Sequence, residues 1–210
     1  MKAAVYDVEG APGVLKYVDV PEPVTGPDDI LISVEAISIE GGDLINRRST
    51  PPPLPSWIVG YAAAGTVVAV GSKVRSRTVG DRVAAFHMQG SHAERWAVPA
   101  ERTWLIPDGV GMAEAAALPI SFGTAHHCLF TRGMLRQGET VLIQAAAGGV
   151  GLAAVQLASQ AGATVIAVVS GTQRRGRLRE LGADHVVDRT KDNIVDSVRQ
   201  YTHGTGVDLV

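Results

Sequence analysis

Between Glu139 and Arg174 the chain carries no charged residue, and the segment QAAAGGVG, Gln144–Gly151, lies near the start of that run. Such a run can be a membrane span, a set of buried strands and helices, or small-residue filler. Eighteen or more consecutive apolar residues argue for a spanning helix. Here Gly148, Gly149, Gly151 and Gly162, with the amides of Gln144, Gln156 and Gln160, make a poor lipid-facing surface. The period also changes along the run. Val141–Gln144 is short and β-rich, Gly151–Ala161 has helical spacing, and Thr164–Val169 is β-branched again. Strands buried on both faces of a parallel sheet read as continuous apolar runs. The pattern predicts a βαβ unit with the glycines at its first bend.

The alternation continues downstream. It predicts strands at 140–144, 164–169 and 185–188, helices at 150–161, 173–181 and 192–202, and a last strand from Val207. That is a doubly wound α/β domain, with Gly162 and Gly182 placed to stop the helices before them. A complete dinucleotide-binding sheet has six strands, and four can be counted here. An apolar sheet edge left open invites association, so the sequence predicts a longer polypeptide or a partner that completes the sheet.

The first 120 or so residues read differently. Strand candidates at Ala3–Val8, Leu15–Val20, Ile30–Ile37, Gly65–Val70, Arg82–Phe86 and Ala93–Val98 are separated by turn residues such as Gly71-Ser72 and Gly80-Asp81. Close spacing of that kind predicts a small barrel or sandwich. The stretch STPPPLP, Ser49–Pro55, reads as an extended loop. From Met112 the pattern turns helical, which sets the division at residues 1–120 and 121–210.

Charge narrows the function classes. A net charge of −2 and a pI near 6.3 leave no basic field for nucleic acid or anionic lipid. Cys128 is the single cysteine, so the chain cannot hold an internal disulfide, and a reducing, cytoplasmic compartment is expected. Asp7 and Glu9 interrupt any apolar region in MKAAVYDVEG, which excludes a signal peptide reading.

The glycines carry the first chemical signal. In a strand–turn–helix dinucleotide site one glycine permits the tight turn, another lets the backbone approach the pyrophosphate, and a third allows close helix packing. Gly148 and Gly151 match the second and third roles, while Ala146 stands where the first would be. The second signal lies at the end of the next strand, where NAD enzymes place an acid for the ribose hydroxyls. Ser170-Gly171-Thr172-Gln173-Arg174-Arg175 contains none. A 2′-phosphate would account for the arginines and favours NADPH over NADH. The competing reading makes Arg174, Arg175, Arg177 and Arg179 a solvated helix face.

Taken together, these segments resemble the zinc-independent quinone oxidoreductases of the medium-chain dehydrogenase/reductase superfamily, the group that includes zeta-crystallin. The resemblance covers the whole chain. It rests on Ala145-x-x-Gly148-x-x-Gly151, with Gly65-Thr-Val67, Val70-Gly71-Ser72, Gly80-Asp-Arg-Val83, Leu105-Ile-Pro107 and Leu181-Gly-Ala-Asp184 in the expected order. It implies an α/β fold: an N-terminal GroES-like β-barrel domain that handles substrate, then a Rossmann domain, here apparently truncated after its fourth strand. Zinc-dependent members carry a cysteine before an aspartate, a G-H-E-x-x-G motif and a four-cysteine lobe. This chain has Glu40 and Asp43 in the first region, and Tyr61 and Ala62 in place of histidine and glutamate. His87, His92, Glu94, His126 and His127 follow no known ligand spacing, so no metal is expected.

The same resemblance supplies the site expectations. Ala145, Gly148, Gly149, Val150, Gly151 and Ser170 would line the NADPH turn, and Thr124 would contact the cofactor near its nicotinamide. Arg174 stands where relatives place a lysine on the 2′-phosphate, and Arg189 where they place a tyrosine beside the adenosine ribose. Glu40 and Ile45 replace a pocket asparagine and tyrosine. Tyr61, at the former zinc-histidine position, is the barrel hydroxyl singled out as candidate proton donor, or else a buried tyrosine with its hydroxyl satisfied locally. Cys128 reads as a small packed hydrophobe. The implied function is NADPH-dependent reduction of a quinone or α,β-unsaturated carbonyl, by a homo-oligomer or by a protein completed by further chain. Two alternatives stand beside it: a non-catalytic NADPH-binding protein, and an enoyl-reducing domain of a multifunctional enzyme.

Overall fold

The computed structural model describes every residue except Thr172 and clusters into two compact units, Met1–Ile120 and Ser121–Val210. The first unit contains β1 (Lys2–Tyr6), β2 (Lys16–Asp19), β3 (Asp29–Ser38), α1 (Gly41–Ser49), β4 (Trp57–Ile58), β5 (Ala62–Val70), β6 (Arg82–Phe86), β7 (Arg95–Pro99) and β8 (Thr103–Leu105). A further helix, α2 (Met112–His126), runs across the division. An antiparallel sheet in the order β7-β3-β5-β6-β8 faces a smaller one, β2-β1-β4. The Ala4 N–H donates to the His92 carbonyl (2.9 Å) and the Glu94 N–H to the Lys2 carbonyl (3.0 Å), so the two sheets join as a small barrel.

Alternation along the strands sends one set of side chains inward. Ile30 and Ile32 of β3, Val83 and Ala85 of β6, and Trp96 and Val98 of β7 form the barrel core. The Trp96 indole N–H is satisfied inside it by the Gln89 carbonyl at 2.9 Å. A second cluster places Ala115 and Ala116 of α2 against Ala64 and Ala84.

Helix α1 was not among the elements expected from sequence. It opens on two glycines and closes on Arg47-Arg48-Ser49, a poor helical pattern taken alone. A local capping box and one distant contact hold it. The Glu40 N–H donates to the Asp43 carboxylate at 2.8 Å, and the buried Arg47 guanidinium donates to the Gly10 carbonyl.

The second unit contains β9 (Thr140–Ile143), α3 (Gly149–Gln160), β10 (Thr164–Val169), α4 (Arg175–Glu180), β11 (His185–Asp188) and α5 (Ile194–Tyr201). The strands are parallel in the order β11-β10-β9. Both sheet faces are covered. Val141, Ile143, Val165, Ala167 and Val169 meet Ala153, Ala154, Val155 and Ala158 of α3 on one side. Leu142, Ile166 and Val168 meet Ile194, Val198 and Tyr201 of α5 on the other. This odd–even division is the physical content of a continuous apolar strand.

Two expectations need correction. The last strand, expected from Val207, is a single bridge between Leu209 and Val141, anchored by the Leu142 N–H on the Leu209 carbonyl at 2.9 Å. Cys128 is exposed rather than packed. It lies in a π-helical segment, 127–132, directly after α2, where Ala125 and Leu129 take the inward positions. Among the described residues no helix is long and apolar enough to cross a membrane.

A close backbone approach occurs where α3 leaves the β9 turn. A Cβ on Gly151 would sit 2.4 Å from the Ala145 carbonyl oxygen and 2.6 Å from the Ala146 Cα, both backbone atoms that cannot rotate away. Gly151→Ala should therefore lower stability by about 1–3 kcal/mol, the range for overpacking a tight core. Urea unfolding measures this, and an unchanged midpoint would show that helix and turn separate freely.

Candidate functional site

The β9–α3 turn is held from below. The Ala146 N–H donates to the Val168 carbonyl of β10 (3.0 Å), and the Gly148 N–H to the Ala145 carbonyl (2.9 Å). Ala145 adopts a left-handed conformation, φ 49°, which normally favours glycine. The position that carries the turn's conformational demand is thus Ala145, whereas spacing alone put the missing glycine at Ala146, which is fully buried.

Gly148 differs from Gly151. A Cβ there would meet nothing nearer than 3.4 Å, so the protein's own packing does not require a glycine. The space beside it is a cavity of about 690 Å³, lined by Ala147, Gly148, Val169, Arg174, Asp188 and Lys191 among others. Gly148 is also the N-cap of α3 and makes no side-chain cap bond. The first N–H groups of a helix lack internal acceptors and carry partial positive charge. An uncapped helix start beside a glycine-lined cavity can receive a phosphate oxygen.

The other turn residues gather at the same place. Gly149 and Val150 are exposed at the first turn of α3. The Ser121 hydroxyl packs on Gly149, lying 3.0 Å from where a Cβ would be. Thr124, one turn further along α2, is exposed.

The loop after β10 sorts the arginines. Arg174 Nη1 donates to the Ala147 carbonyl at 2.7 Å, so its side chain reaches back to the glycine turn. Arg175 pairs with Asp192 at 3.4 Å and Arg177 with Glu180 at 3.0 Å. Arg189 Nε donates to the Ser170 hydroxyl at 2.7 Å and is not among the cavity-lining residues.

Asp188, at the end of β11, joins the loops. Its Oδ1 accepts the Gly171 N–H (2.8 Å), the Thr190 N–H (3.1 Å) and the Thr190 hydroxyl (2.7 Å). The side chain is fully buried and its Oδ2 has no partner among the described residues. The Gly171 N–H, then the Thr190 hydroxyl, hold the carboxyl down from 3.8 to about 2.

In the first unit, Tyr61 is half-buried and its Oη accepts the Asn46 side-chain N–H, leaving the phenolic proton free. Gly42 makes room for it, since a Cβ there would lie 2.5 Å from the Tyr61 ring. Burial, then the Asp43 carboxylate, push the Tyr61 phenol up. Glu40 accepts the Ser38 hydroxyl at 2.6 Å, and Ile45 is exposed on α1. The cleft beside Tyr61, lined by Tyr6, Asp43, Asn46, Trp57 and Met88, encloses about 20 Å³. That is room for a water molecule.

The zinc positions of this fold do not suit a metal. Zinc needs three deprotonatable ligands, whereas Ala62 offers none, the Tyr61 phenol is pushed up from 10.0, and Glu40 is engaged by Ser38. Among the described residues no group of three His, Cys, Asp or Glu side chains gathers as a ligand set.

Comparisons with known proteins agree with this architecture. Residues 26–119 match the family described as alcohol dehydrogenase GroES-like domain, and residues 149–210 match zinc-binding dehydrogenase. The chain is 36% identical over 190 residues to the synaptic vesicle membrane protein VAT-1 homolog of Rattus norvegicus, covering 90% of this chain and 47% of that protein. It is 38% identical over 193 residues to the quinone oxidoreductase-like protein 2 homolog of Nematostella vectensis, covering 88% and 52%. The crystal structure of Escherichia coli quinone oxidoreductase complexed with NADPH superposes with a TM-score of 0.88 at 29% identity, covering 99% of this chain and 64% of that one. The chain belongs to the medium-chain dehydrogenase/reductase superfamily, with quinone oxidoreductases among its relatives. It spans about half the length of those curated relatives.

Sequence reasoning missed Ser121, Asp188, Lys191 and Asn46. The first three lie outside the glycine motif, and strand order alone brings β11 beside β10. Asn46 was hidden with the unexpected α1.

Because the Asp188 carboxyl is held below its ordinary value, its contribution to stability is fully present above pH about 4. It is lost as pH falls through about 2. Wild-type protein should therefore lose urea resistance more steeply between pH 5 and pH 2 than Asp188→Asn, which begins lower and changes less. Parallel pH profiles for the two would show that this carboxylate carries no folding linkage.

Proposed function

We propose that this chain carries the cofactor site and barrel of an NADPH-dependent reductase that acts without a metal on a quinone or α,β-unsaturated carbonyl. One observation carries the reading: the uncapped start of α3 and the open side of Gly148 face a cavity of about 690 Å³ that Arg174 also lines. Quinone oxidoreductases among the relatives, including one solved with NADPH, support it.

The division of labour follows from the residues. Gly148, Gly149, Val150 and Gly151 let the pyrophosphate approach the start of α3, over the turn that Ala145 shapes. Arg174 reads the 2′-phosphate, while Ser170 and Arg189 border the adenosine ribose. Thr124 lies on the nicotinamide side. NADPH, when bound, supplies a hydride for an electron-poor carbon. Tyr61 holds a proton at Oη for the oxygen that gains charge, with Asn46 occupying the acceptor side of that oxygen. Glu40 and Ile45 border the acceptor. A single thiol suits a reducing, cytoplasmic compartment.

Loss of NADPH absorbance with a small quinone and with a 2-alkenal tests the assignment. Turnover of either supports it. Tight NADPH binding with no turnover of either would replace it by a non-catalytic cofactor-binding role. Arg174→Ala should weaken NADPH about tenfold or more and leave NADH unchanged. Equal loss for both would show that Arg174 does not read the 2′-phosphate. Tyr61→Phe should lower kcat about a hundredfold with NADPH affinity unchanged. An unaltered kcat removes Tyr61 as donor.

A further inference from the structure

Arg174 is not the only cation on the cavity. Lys191 lines it too, from the loop after β11. The Lys191 backbone is fixed, its N–H donating to the Asp188 carbonyl at 2.9 Å. Its side chain is exposed and, among the described residues, makes no hydrogen bond or ion pair. The neighbouring cations are engaged elsewhere. Arg175 is with Asp192, Arg177 with Glu180, and Arg189 with Ser170. Lys191 is thus the cavity's free ammonium.

We propose that Lys191 is a second determinant of cofactor choice, contacting the 2′-phosphate together with Arg174, and that Asp188 fixes the two cation-bearing loops relative to each other. This rests on the NADPH reading above. Arg174 and Lys191 sit on separate loops, after β10 and after β11. Convergence on one phosphate needs those loops held together. Asp188 does so by accepting Gly171 from the first loop and Thr190 from the second through one buried oxygen. Those bonds occupy its Oδ1, and on the lining Arg174 and Lys191 set two cations against its one anion. A planar guanidinium and a mobile ammonium then meet the phosphate from two loops, which suits a dianion better than either group alone.

The test compares dissociation constants of the full chain for NADPH, NADH, 2′,5′-ADP and 5′-AMP. Wild type should prefer NADPH and 2′,5′-ADP. Lys191→Ala should weaken both by about tenfold, as for one partly exposed charge-assisted contact, with NADH and 5′-AMP unchanged. Lys191→Glu should weaken them further. Arg177→Ala removes a nearby charge outside the cavity, and should alter none of the four. If wild type prefers NADPH but Lys191→Ala leaves it unchanged, Lys191 is not a determinant and the cofactor reading stands. If Arg177→Ala matches Lys191→Ala, the effect is a diffuse field and the contact is overturned. If wild type shows no preference for the 2′-phosphate, the cofactor reading itself fails and takes this inference with it.

Discussion

The approach of Gly151 to the Ala145 carbonyl sets the geometry on which the rest of the second unit depends. With no side chain between them, α3 starts close against the end of β9, and its small residues lie flat on the sheet. The turn must then reverse within a few residues, which drives Ala145 into a left-handed conformation. It also leaves the first N–H groups of α3 directed outward beside Gly148. A helix displaced by one methyl group would lose packing along its whole length, and its N-terminus would no longer open on the cavity. Packing and binding capacity therefore rest on a single backbone contact.

That dependence explains which features were legible in the sequence. The βαβ alternation was legible because strand and helix periods differ, and the odd–even division of Val141–Ile143 and Val165–Val169 confirms the reading of a doubly covered sheet. The role of the turn was legible, but its exact strained position was not. Spacing assigned the substitution to Ala146, while the conformational demand falls on Ala145. Motif spacing counts residues, whereas a dihedral depends on where the chain must reverse.

Elements held by distant contacts were not legible. Helix α1 has two glycines at its start and two arginines near its end, and it persists because Arg47 reaches Gly10 and the Asp43 carboxylate caps the Glu40 N–H. No local pattern encodes the Gly10 partner, so Asn46 and its bond to Tyr61 stayed hidden as well. Cys128 misled in another way. Its apolar character suggested burial, but the frame set by Ala125 and Leu129 turns it outward. Residue type gives a tendency to be buried; helical phase decides it.

Asp188 resolves an apparent contradiction in the electrostatics. A carboxylate lining a cavity proposed to hold a phosphate should repel it, and burying one without a counter-charge is costly. Three hydrogen bonds to Oδ1 offset part of that cost, and Arg174 and Lys191 set two cations against this one anion on the lining. The same bonds make the carboxylate a structural joint between the loops after β10 and β11. Its neighbour Arg175 is drawn to Asp192, so it is not available to a ligand. The anion at the strand end thus acts on the protein, and the cations around it are left to act on the ligand. A chain lacking an acid after its second strand can still place one at the end of its third, where backbone N–H groups and a hydroxyl engage one carboxylate oxygen. This is why an acidic residue at Asp188 is compatible with the proposed selection for additional negative charge.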